Sequence, residues 1–141
     1  MSGFWRTWFL VWCLSIGLFG VVLAGGALPA TDGAVRVVLA LTHGPTEPLF
    51  DPPLRFSLGV MGGVSIGWAV MLHFVLQEAI RQGAAGRPLW NAISAGMITW
   101  FVIDSTLSVA TGYGLNVVPN LGLLGMYVVG LMQSGALKAA D

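Results

Sequence analysis

Four apolar runs, each long enough to cross a bilayer, take up most of this chain. A crossing helix needs about 20 such residues. A chain of 141 residues is too small to hide four of them from water. Only 9 % of its residues are charged, against about 25 % in a soluble domain. The expected fold is therefore an all-α membrane protein, a four-helix transmembrane bundle in one domain. Its helices are expected at about 4–25, 54–81, 88–112 and 117–137, with an outer connector over 26–53. The lipid bilayer is the expected partner. Zero net charge and the lack of a basic cluster exclude nucleic acid.

The third run, Pro88 to Gly112, carries a carboxylate, Asp104, near its middle. A charge at such a depth costs from about 3 to more than about 10 kcal/mol, depending on how neighbours and water relieve it. The residues that offset this cost are the first thing to find. The Asp104 stripe of the helix holds Met97, Trp100, Ser108 and Thr111, with Ser94 and Ser105 to one side. On the fourth helix, Asn116, Asn120, Tyr127 and Ser134 share a face with Leu123 and Gly130. Folding these two helices about Gly114 sets Asp104 opposite Gly125 and level with Gly63. Ser105, Ser108, Asn120 and Tyr127 are then its candidate partners. Arg55 lies about a dozen ångströms shallower at 1.5 Å per residue.

The first helix opens with Trp5, Trp8 and Trp12, spaced as interfacial anchors. A cleaved signal would need a shorter core than Trp8 to Ala24, so an uncleaved helix is expected. Cys13 has no second cysteine to pair with and reads as a small buried apolar residue. In the connector, Thr31 and Asp32 offer helix caps before AVRVVLALTH, too short to span and expected to lie at the interface. A strand is the alternative for its valine-rich part. Pro45, Pro48, Pro52 and Pro53 follow in a segment expected to be extended. In the second helix, Gly59, Gly63 and Gly67 recur every four residues, with Gly62 beside them. That spacing predicts a face on which another helix approaches closely. Val70, His73 and Gln77 continue the stripe. A short glycine-containing link over 82–87 makes helices two and three an antiparallel hairpin.

Arg6, Arg81, Arg87 and Lys138 fall on one side, Arg36 and Arg55 on the other. The positive-inside bias then puts both termini in the cytoplasm. His43 lies in the outer connector and His73 about 27 Å deep, so they cannot share an iron or a zinc. A haem held by His73 and a ligand from another chain stays open. No metal site, phosphate loop or Ser-His-Asp triad fits the spacing, and no cofactor is expected.

With Arg55-Phe56 opening the second helix and Gly62-Gly63 within it, the layout resembles small bacterial four-helix membrane proteins of the DoxX-like kind. The resemblance implies a four-helix bundle and association with membrane redox enzymes.

Asp104 has two readings: a residue that handles protons or a ligand, or a polar clasp between helices three and four. The leading functional expectation is a non-catalytic accessory subunit or a binder of an apolar ligand. Its rivals are a small oligomeric transporter or proton pathway through Asp104, and a redox subunit binding quinone or haem. A membrane complex or homo-oligomer would supply the partners.

Overall fold

The computed structural model describes residues 1–43 and 49–137. Four long helices and one short one make up the described chain: α1 (Gly3–Gly25), α2 (Gly33–His43), α3 (Pro52–Gln82), α4 (Arg87–Ala110) and α5 (Val117–Gln133). Turns of 3-10 helix over 83–86 and 114–116 join α3 to α4 and lead into α5. Three stretches are long and apolar enough to cross a membrane: 3–25, 52–110 and 114–133. The second holds both α3 and α4, which fold back on each other, so that the rings of Trp68 and Trp100 lie 5.9 Å apart.

The expected elements form, with shifted ends. The valine-rich connector segment is helical, not a strand. Pro52 and Pro53 belong to α3 and not to an extended segment, because proline is tolerated in the first helical turn, where no N–H is needed. Asp51 caps that turn, accepting a bond from Leu54 N at 2.9 Å. The expectations for Pro45, Pro48 and Lys138 lie outside the described residues.

The helices α1 and α3 cross at their backbones. A Cβ added at Gly62 would stand 2.6 Å from the Gly20 carbonyl oxygen and 2.6 Å from Ala24 Cα. One added at Gly20 would stand 2.9 Å from Ile66 N. Only glycine fits such an approach. The packing face of α3 is therefore Leu58, Gly62, Ala69, Leu72, Leu76 and Ala79. This corrects the expected glycine stripe. Gly63 and Gly67 are exposed, with no atom near the place of a side chain, whereas a Cβ added at Gly59 would stand a close 3.2 Å from Ala27 Cβ, as expected of a packing glycine.

One core cluster joins Phe9, Trp12, Ile16, Leu72, Leu76, Trp90, Met97 and Tyr127. It seals one half of the molecule. There Trp8 and Trp12 donate their indole N–H groups to the carbonyls of Met126 and Leu123 on α5, each at 2.9 Å. Trp12 is thus a core residue and not an interfacial anchor. These contacts, with Phe9 on Trp90 at 5.3 Å, bring the starts of α1 and α4 and the end of α5 to one end.

At the other end α2 is held by a charged cluster. Asp32, only 7 % exposed, takes two bonds from Arg36, at 2.9 and 3.0 Å, and one from Arg55 at 2.9 Å. Both guanidinium groups lie over the Phe50 ring. Arg55 also donates to the carbonyls of Gly26 and Phe50, each at 3.2 Å. Asp32 was expected to cap α2; its carboxylate is spent on the two arginines. Their hydrogen bonds, Arg36 first, hold its pKa below the usual carboxylate value.

Two outcomes follow. Gly62→Ala forces the backbones of α1 and α3 apart and lowers stability by about 1–3 kcal/mol, as overpacking does. Gly63→Ala leaves the thermal midpoint in detergent almost unchanged, and equal losses in the two variants would refute this crossing. For Asp32, a lowered folded pKa means stability that is fully present above the ordinary carboxylate pKa of about 4. It is lost as pH falls through the lower folded value. Melting curves of the parent should drop over that acid range more steeply than those of Asp32→Asn, which has no carboxyl to protonate there; parallel curves would contradict the assignment.

Candidate functional site

The turn between α4 and α5 places the polar residues. Gly112 has φ +87°, which L side chains rarely adopt. The chain reverses there, and Tyr113 N bonds back to the Ser108 carbonyl at 2.8 Å. Gly112 is midway between Asp104 and Asn120. The pivot therefore comes two residues earlier than the Gly114 expected from sequence. The partners shift toward the turn, from the level of Gly125 to Asn120 on α5 and Asn116 just before it.

Asp104 Oδ2 accepts from the side-chain amides of both asparagines, with Asn116 Nδ2 at 3.1 Å and Asn120 closer still. The same amides tie in two serines. Asn116 Nδ2 donates to Ser108 Oγ at 3.0 Å, and Asn120 Nδ2 to Ser105 Oγ at 3.2 Å. Asn120 and Ser105 are buried, while Asp104, Ser108 and Asn116 are half-buried. Asn116 and Asn120 stand four residues apart, hence on one face of the helical turn. That spacing was the signal that could have placed Asn116 in the cluster.

Of the expected partners, Ser105, Ser108 and Asn120 lie with Asp104; Tyr127 does not. Its hydroxyl is 2.7 Å from Ser94 Oγ, and both hydroxyls reach the Trp90 carbonyl, at 3.3 and 2.8 Å. The earlier pivot carries Tyr127 past Asp104 into the sealed half, against Trp12 at 5.3 Å. Arg55 is bound to Asp32 and takes no part. Among the described residues no cation pairs with Asp104.

The other polar candidates stand apart. His73 is half-buried, its ring 5.5 Å from Phe74, and Ser94 bonds to Tyr127. His43 packs on Tyr113 at 4.6 Å, beside the Gly112 turn. Among the described residues no three His, Cys, Asp or Glu side chains converge on a metal-sized site.

A carboxylate gripped by two amides can accept hydrogen bonds; the hydroxyls in its cluster, Ser105 and Ser108, are themselves bonded by those amides. Asp104→Asn keeps an oxygen for the two amides and should melt within about 1 kcal/mol of the parent. Asp104→Leu leaves amide groups without their acceptor, at about 1–3 kcal/mol for each left unpaired. Circular-dichroism melts of the purified variants measure both, and a leucine variant as stable as the parent would remove the clasp.

No family model, curated protein or solved structure matches this chain.

Proposed function

We propose that this chain is an integral protein of a bacterial inner membrane with four crossings and both termini cytoplasmic. It works without catalysis, as an accessory subunit or a holder of an apolar ligand. Three apolar stretches of spanning length support the membrane reading. So does an outward surface rich in exposed Leu14, Leu18, Val64, Phe74, Ile103 and Val118, which water would penalise. Arg6, Arg81 and Arg87 belong to the end that carries the start of α1 and the α3–α4 turn. That end is the cytoplasmic one by the positive-inside bias.

The observation that carries the non-catalytic reading is what lies beyond Asp104. Toward the other end lies a largely apolar plug of Trp12, Leu76, Trp90, Ile93 and Met97, all buried, whose polar pair, Tyr127 and Ser94, bonds to the Trp90 carbonyl and not to Asp104. Protons need a chain of polar groups or water, and this plug interrupts one across a single protomer. Asp104 is then a polar clasp and contact point, not a step in a conduction path.

Two measurements test the reading. The protein should stay with the membrane on alkaline extraction, and release into solution would refute the location. Proteoliposomes holding the protein should pass protons no faster than empty ones. A flux that the parent carries and Asp104→Asn abolishes would replace this reading with a proton pathway.

A further inference from the structure

The inward faces of the helices change character along their length. On α4, Trp90, Ile93 and Met97 are buried, but Trp100, Phe101, Asp104 and Ser108 on the same side are half-exposed. On α3, Leu72, Leu76 and Ala79 are buried, but Ser65 and Trp68 are half-exposed. The faces are closed in the half that holds the plug, while in the half that holds Asp104 these positions are partly accessible beside the buried Gly62, Ser105 and Asn120.

Asp104 is at the head of this accessible part. Both amide bonds go to Oδ2; among the described residues Oδ1 accepts none. Among the described residues no fully buried side-chain oxygen lacks a partner, so Oδ1 is not fully buried. All the partners Asp104 has are neutral: two amides, themselves bonded to serine hydroxyls. One turn toward the plug, Trp100 occupies the same face of α4, and Trp68 lies against it with ring centroids 5.9 Å apart and planes at 50°. A carboxyl oxygen one helical turn from a pair of packed indoles is the chemistry that attracts a positive charge carried on an apolar body. The carboxylate supplies the countercharge and the indole faces attract the cation through their quadrupole. One carboxylate with neutral amides suits a bulky monovalent cation better than a divalent metal, which wants several oxygen anions.

We infer that Asp104, Trp100 and Trp68 form a binding site for a hydrophobic organic cation, such as an amine or onium ion with apolar substituents. The inference rests on the ligand-holding reading above and names the class of ligand.

The test uses the full chain in nanodiscs, with empty nanodiscs as blank, and three probes in equilibrium dialysis. Tetraphenylphosphonium is the cation, tetraphenylborate its anionic counterpart of like size, and Nile red a neutral apolar dye. The parent should bind tetraphenylphosphonium saturably. Asp104→Asn should weaken it by about tenfold or more, the order lost with a charge-assisted contact. Trp100→Leu keeps apolar bulk and should weaken it roughly threefold to thirtyfold. Tetraphenylborate should not distinguish parent from Asp104→Asn. Equal tetraphenylphosphonium affinity in parent and Asp104→Asn overturns the inference. If the asparagine variant does not fold, unchanged binding by Trp100→Leu overturns it instead. Saturable Nile red binding without saturable phosphonium binding leaves the ligand-holding reading standing and removes the cation. Saturable binding of neither probe removes both the cation site and the apolar-ligand reading.

Discussion

The contact on which the rest depends is the meeting of two backbones, at Gly20 of α1 and Gly62 of α3. In the proposed membrane setting, helices gain little by leaving their surroundings, since lipid tails are as apolar as the side chains. What remains is van der Waals contact, which is strongest where no side chain intervenes. From this crossing α1 reaches Ile16, Cys13, Trp12 and Phe9 in one direction and Leu23 in the other. The first group builds the plug with Trp90 and Tyr127. Leu23 packs with Leu58 and with Val35 of α2. Both ends of the molecule thus hang from one close approach.

Helices were easy to read here, and the faces they bury were not. Every long apolar run became helix, because runs bounded by glycine and proline leave few other choices. The face of α3 was misread for a specific reason. Gly62 and Gly63 are adjacent, about 100° apart around the helix. The regular series Gly59, Gly63 and Gly67 is the stronger pattern within α3. The choice is made by Gly20 and Ala24 on another helix, and no pattern in α3 contains that information. Asp32 tells the same story. Its capping role is local and visible, whereas its bond to Arg55 spans 23 residues of sequence.

The Asp104 cluster was legible up to its register. The stripe on α4 and the asparagine face on α5 could be drawn from spacing. Their alignment depends on where the turn pivots, and two glycines, Gly112 and Gly114, compete for that position. Gly112 adopts the positive φ. The earlier pivot then exchanges the expected phenol of Tyr127 for the amide of Asn116, beside that of Asn120, as the company of the carboxylate.

The bonds of α5 fall into two classes by how much chain they wait for. Those from Asn116 and Asn120 to Asp104 span 12 and 16 residues. Those from Trp8 and Trp12 span 118 and 111. During synthesis the last hairpin carries its own means of relieving the Asp104 carboxylate. Its amide partners come from the turn and helix that directly follow α4, independent of the earlier helices. The two indoles have the opposite history. Made first, they lack their native acceptors until the final helix arrives. Docking of a finished α4–α5 hairpin onto a waiting α1–α3 pair is the order that this arrangement favours, and the tryptophans are its latch.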